Sequence, residues 1–227
     1  MPTDCISFRD TAFVSKLICD YVENRPELQA LYHRFPTLEN FKFQIEEKEQ
    51  NFPFENRITL VNSLKNQCKN ITLSETSEKN INSLSLENTF TVTTGHQLNL
   101  FTGPLYFLYK IVSVINLTRQ LKEEYPKYNF VPVYWMATED HDFEEINYFN
   151  FKNKKIKWNR KSNGPVGRLS TEGLNEVFAF FSKELGIGNN ANYLKELFRK
   201  SYLENNKLTD ATRFLVNELF ASEGLVI

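Results

Sequence analysis

Two short segments hold residue types from which a reactive site could be built. The first, TTGHQLNLFTGPLYFLYK (93–110), runs from an apolar, β-branched stretch into a helical pattern. Open α/β sheets bind ligands where a strand's C-terminal end meets a helix's N-terminus. The first helical turn offers N–H groups and a positive dipole end, suited to phosphate or carboxylate. Gly95 and Gly103 would let backbone approach a ligand closely. Thr102 could cap the helix, and His96 and Gln97 would add donors at the mouth. The same residues also fit an ordinary βα turn whose histidine bonds to backbone. The second segment, WMATEDHDFEEIN (135–147), crowds Glu139, Asp140, Asp142, Glu144 and Glu145 around His141, five acids in seven residues. Such a cluster can hold Mg²⁺, take a proton from an amine, or orient an imidazole. It also fits a solvated acidic loop. Neither segment carries GxxxxGK[ST] or HExxH.

The elements around them must bring the two segments together. NTFTVTT (88–94) is short and β-branched and predicts a strand. GHQLNLFTG predicts a loop, and 104–125 a largely buried helix with Pro104 near its first position. NFVPVYWMAT (129–138) predicts a second strand, with Pro132 early in its run. Strand, helix, strand makes a βαβ unit with a parallel sheet and a right-handed crossover. If the strands are neighbours, both segments lie at the same sheet edge. Residues 146–151 and 155–160 predict a hairpin, and 172–185, 190–204 and 208–222 three helices. The chain then reaches GLVI, a strand-like run. This suggests a piece of a longer protein, with an incomplete sheet. GIGNNA (186–191) follows a helix rather than a strand, so it reads as a helix cap and linker. The basic run KNKKIKWNRK (152–161) reads as the solvated face of the hairpin.

The front of the chain differs. All eight glycines lie at residue 95 or later, and all three cysteines, at 5, 19 and 68, lie before it. Helices are expected over 9–32, with an interruption at Pro26, and over 55–69. Residues 70–88 read as a loop or a poor helix. The expected division is a helical segment over 1–88 packed on a core of 89–227, with the hairpin inserted near 146–160. The 227 residues, 41% hydrophobic with net charge −1, are ordinary globular composition. That balance gives no global reason to bind nucleic acid or an anionic membrane. There is no signal peptide, membrane-length apolar run or disulfide framework, so a cytoplasmic protein is expected.

The paired blocks TTGHQLNLFTGPLYFLYKI and FVPVYWMATEDHDFEEIN resemble the bacillithiol biosynthesis cysteine-adding enzyme family (BshC), over the N-terminal part of its length. The resemblance implies an α/β, Rossmann-like parallel sheet of nucleotidyltransferase type. It implies a ligase that joins cysteine to the amine of glucosaminyl-malate, with ATP activating the carboxylate and Mg²⁺ as an option. It further implies a homodimer formed through a region outside this chain. On it, Thr94, Gly95, His96, Gln97, Thr102 and Gly103 would meet nucleotide or activated carboxylate. Glu139, Asp140, His141 and His96 would do the chemistry, and Tyr106, Asp142 and Glu145 would contact substrate. No residue is expected as a dedicated metal ligand. Two other readings stand beside it: a metal-dependent hydrolase using His96, Asp140 and His141, and an inactive fragment acting as an interaction module.

Overall fold

A computed structural model describes residues 4–227. The chain divides into two compact units between Asn51 and Phe52.

The first unit holds α1 (Phe8–Thr11), α2 (Lys16–Val22), a 3₁₀ turn at Pro26–Leu31 and α3 (Leu38–Asn51). The helix expected over 9–32 is therefore three short pieces. Ala12 and Asn24 take positive φ and break the run, and Ser15 restarts it by accepting a bond from the Ile18 N–H. Arg9 ties α1 to α2 through Asp20 and Glu23, and Tyr21, Tyr32 and Phe35 stack within 6.1 Å of one another.

The second unit begins with α4 (Phe54–Gln67) and α5 (Glu75–Ser83). Residues 75–83, read from composition as a loop or poor helix, form a capped helix. The Ser74 hydroxyl accepts the Ser77 N–H at 3.0 Å, and Ile81 anchors the helix in the core. Next come β1 (Thr89–Gln97), α6 (Tyr106–Glu124) and β2 (Asn129–Ala137). The two strands pair in parallel with no offset, from Thr89 opposite Asn129 to Gln97 opposite Ala137. This is the expected βαβ unit, a parallel α/β arrangement. Val226 adds to β2 on the edge away from β1, accepting the Tyr134 N–H at 2.8 Å and donating to Pro132 O at 3.0 Å. Pro132 thus lies inside the sheet, and its missing donor faces only this short bridge.

Alternate residues of β2 serve opposite faces. Val131 and Val133 pack with Val61, Leu64 and Ile81 of α4 and α5. Tyr134 and Met136 pack with Phe107, Ile111 and Ile115 of α6. The layers are helix, sheet, helix. Beyond β2 come α7 (Phe143–Ile146), the antiparallel hairpin β3 (Tyr148–Phe151) and β4 (Lys154–Lys157), then α8 (Leu174–Leu185), α9 (Asn189–Leu203) and α10 (Leu208–Phe220). The hairpin and the three helices agree with the sequence reading. Gly186 and Gly188 flank the α8–α9 joint.

Candidate active site

The end of β1 is built differently from its sequence expectation. TGHQ is not a loop: β1 continues through Gln97, and Gly95 lies in regular strand. A Cβ at Gly95 would meet the Trp135 backbone oxygen at 3.8 Å, an ordinary contact. The irregular part follows, where Phe101, Thr102 and Gly103 take φ of 48°, 70° and 48°. Left-handed backbone at two non-glycine residues costs free energy and persists only where its surroundings enforce it. The enforcement comes from α9. The fully buried Tyr202 hydroxyl donates to Asn99 O and accepts the Phe101 N–H, both at 3.0 Å. The Phe101 ring sits among Phe149, Phe181, Phe198 and Tyr202. Gly103 is required twice: for its φ, and because a Cβ there would lie 2.4 Å from the Asn99 Cβ. Thr102 does not cap α6. Leu105 occupies the cap position with no side-chain bond, and Thr102 is turned into the left-handed region.

His96 is buried rather than displayed at a mouth, with 8% exposure. Its ring lies 5.0 Å from Tyr106 and 5.5 Å from Phe107. Nδ1 lies 2.8 Å from Asn99 Nδ2 and 3.0 Å from Gln97 O. Burial, with a smaller contribution from the nearby Lys110 charge, lowers its pKa against the raising effect of the Gln97 carbonyl.

The acidic segment stands opposite. Gln97 Nε2 donates to Glu145 Oε2 at 2.9 Å, joining the end of β1 to α7. Asp140 Oδ1 accepts the Asp142 N–H at 3.1 Å, and this bond is the leading cause of its lowered pKa. Glu144 pairs with Lys157 of the hairpin at 2.9 Å, which lowers the Glu144 pKa. Glu139, His141 and Asp142 are exposed. One ligand atom from each of Asp140, His141 and Asp142 can lie within 4.8 Å of the others. His96 is not in that group, so the structure does not assemble the set His96, Asp140 and His141.

Between these walls lies a cleft of about 740 Å³. Gln97, Asn99, Gly103, Pro104, Leu105 and Tyr106 line one side, and Glu144, Glu145, Tyr148, Phe149 and Asn150 the other. Of the expected residues, Gln97, Gly103, Tyr106 and Glu145 reach this lining, while Thr94, Gly95, His96, Thr102, Glu139, Asp140, His141 and Asp142 are not part of it.

Sequence reasoning missed two supports. One is Asn99, whose only signal was its place between Gln97 and Gly103. The other is the turn at Val166–Arg168. There Val166 N–H donates to Asp140 O at 2.7 Å and Gly167 N–H to Thr138 O at 3.0 Å. A Cβ at Gly167 would fall 2.5 Å from Thr209 Oγ1 and 2.6 Å from Thr138 Cβ. This turn braces the acidic segment from beneath. The GPVG sequence was its signal, and composition alone reads it as a surface turn.

A parallel strand–helix–strand unit with a polar cleft at its strand ends is the arrangement of a Rossmann-like domain. The whole chain, residues 1–227, matches the family model for the bacillithiol biosynthesis BshC N-terminal Rossmann-like domain, and the protein belongs to that family. It is 66% identical over 227 residues to a Flavobacterium johnsoniae protein, covering 100% of this chain and 43% of the relative. It is 39% identical to one from Cytophaga hutchinsonii (98% and 40% covered) and 31% identical to one from Bacillus anthracis (93% and 40%). All three relatives bear the name "Putative cysteine ligase BshC". The chain spans less than half the length of these relatives. Among the described residues no helix is long and apolar enough to cross a membrane.

Proposed function

We propose that this chain is the Rossmann-like part of a cysteine ligase that joins cysteine to the amine of glucosaminyl-malate in bacillithiol synthesis, and that the cleft between β1 and α7 receives the amine. The observation that carries this reading is the 2.9 Å bond from Gln97 to Glu145, which holds a carboxylate over the strand end. Amide formation needs an activated cysteine carboxyl group. The amine nitrogen attacks its carbonyl carbon, the activating group departs with its electron pair, and the nitrogen loses a proton. In this reading Glu145 binds the ammonium and takes that proton. Gln97 fixes the carboxylate's orientation, and Tyr106 and Tyr148 supply walls.

Activation by ATP is part of the proposal. A nucleotide would supply the leaving group, and the α6 N-terminus would favour its negative charge. The cleft lining, however, contains no lysine or arginine and two glutamates. These residues alone do not fit a triphosphate, so no step is routed through it. The proposed cytoplasmic location and the dimer formed elsewhere in the protein accompany this reading.

The test is genetic and chemical. A strain lacking its own enzyme is complemented with the full-length protein carrying Glu145→Gln, and bacillithiol is measured. The expected result is a loss of at least about tenfold in thiol, a floor set below the roughly 10²–10⁴-fold that a positioned acid–base group contributes to rate, with glucosaminyl-malate accumulating. Wild-type thiol levels in that strain would remove Glu145 from the chemistry. Failure of the wild-type protein to complement would remove the ligase reading itself.

A further inference from the structure

The contacts around His96 Nδ1 do not leave its proton free to choose a nitrogen. Asn99 Nδ2 lies 2.8 Å from Nδ1 and 3.2 Å from Gln97 O. The Asn99 amide has two hydrogens, one for each acceptor. Gln97 O also lies 3.0 Å from Nδ1, but that carbonyl already faces two other donors, Asn99 Nδ2 at 3.2 Å and the Tyr134 hydroxyl at 3.5 Å, so the closer Asn99 contact decides, and it favours a bare Nδ1. A proton on Nδ1 would instead set an N–H against an NH₂ group at 2.8 Å, the shortest contact in the cluster. Asn99 itself cannot swing away easily. It is 5% exposed, its carbonyl is held by the Tyr202 hydroxyl, and its side chain packs against Gly103.

We propose that Asn99 is a positioning residue that holds His96 as the neutral tautomer with its proton on Nε2. The hydrogen bond made by one ring nitrogen sets the state of the other. Burial and the nearby Lys110 charge both disfavour the imidazolium. The consequence for reactivity rests on the ligase reading. His96, buried behind the cleft lining, then does not serve as the base that deprotonates the amine. That task stays with a carboxylate.

The test measures the tautomer directly and needs no substrate. Long-range ¹H–¹⁵N spectra of the ¹⁵N-labelled chain report which ring nitrogen carries hydrogen, and His96→Gln identifies the His96 signals among the three histidines. The wild type is expected to show a bare Nδ1 and a protonated Nε2 near neutral pH. Asn99→Asp places an acceptor-only carboxylate against Nδ1 and is expected to draw a proton there. Asn99→Leu, which removes the donor, is expected to give a mixture of tautomers. If the leucine variant does not fold, the wild-type and aspartate spectra still decide. A protonated Nδ1 in the wild type, or unchanged nitrogen shifts in Asn99→Asp, would overturn the proposal. Either result leaves the Glu145 complementation test untouched, so the two readings fail separately.

Discussion

His96 carries a pH signature that follows from its surroundings. Its pKa in the folded protein lies below the ordinary histidine value of about 6.5. The unfolded chain therefore binds a proton more readily than the native state. Stability from this residue is fully present above about pH 6.5 and is lost as pH falls from there toward the lowered folded value. Thermal melts from pH 7.5 down to 5 should show a steeper loss of Tm for the wild type than for His96→Gln. Equal slopes would show that His96 titrates alike in both states. The neighbouring loop makes a second demand. Gly103→Ala combines a strained φ with a push on Asn99 and should cost about 1–3 kcal/mol, read as a lower Tm in a melt of the same chain. At this scale the sequence was partly legible. Gly103, read with Gly95 as a place where backbone could approach a ligand closely, has its special role in a positive φ, whereas Gly95 lies in regular strand. Thr102 was misread as a cap because cap propensity is local, while its φ of 70° is imposed by Tyr202 and the aromatic cluster, about a hundred residues downstream. Asn99 gave no signal beyond its place between Gln97 and Gly103, since an asparagine's partners cannot be read from spacing.

Among the elements, α6 and the two strands were legible because their periodicity is strong and their lengths match one buried layer. The helix α5 was not. Its residues ETSEKNINS are polar, and it forms because Ser74 caps it and because Ser77 and Asn80 bind the turn before Val226. The Ser77 hydroxyl donates to Leu225 O at 3.1 Å and Asn80 Nδ2 to Gly224 O at 2.7 Å. Arg57 of α4 plays a similar part at the entrance to β1. Buried at 4% exposure, it donates to Leu84 O, Glu87 O and Thr89 O within 3.3 Å. Its guanidinium also lies 5.3 Å from the Phe52 ring centre. Arg57→Leu would leave those carbonyls buried without donors and should destabilise the second unit by about 3 kcal/mol. Chemical denaturation followed by tryptophan fluorescence measures this, because both tryptophans, Trp135 and Trp158, belong to that unit. A change below about 0.5 kcal/mol would show that water replaces the guanidinium.

Across the second unit, the strands are not equally protected. β2 has β1 on one side and Val226 on the other, whereas β1 has one described neighbour. Thr91, Thr93 and Gly95 are exposed, and Lys110 Nζ donates to Gly95 O at 3.2 Å, placing a charge beside the strand. Native-state hydrogen exchange of the chain should therefore show the amides of β2 exchanging last and those of β1 earlier. Equal protection would mean that the outer edge of β1 is covered. The order β1, β2, Val226 steps outward from β1, as one half of a doubly wound sheet does. The βαβ unit is legible in the sequence but this order is not, because the edge that Val226 joins is fixed by distant partners: Ser77 and Asn80 of α5 hold the turn before it, and Arg213 of α10 donates to Ile227 O.

The zero-offset pairing of β1 with β2 has a consequence for how this chain can vary. Side chains along a strand alternate faces with a period of two, so one residue inserted anywhere between Thr89 and Thr94 would turn His96 to the face that Gln97 now serves. Gln97 would lose Glu145, its partner across the chain, in a single step. No compensating change within α6 could restore that bond, since α6 follows the displaced residue. Length changes in working descendants of this domain should therefore gather at the Lys152–Asn153 turn of the hairpin, where both residues already take positive φ at the surface. The nine residues of β1 and the nine of β2 should keep their count even where every side chain between the ends has been replaced.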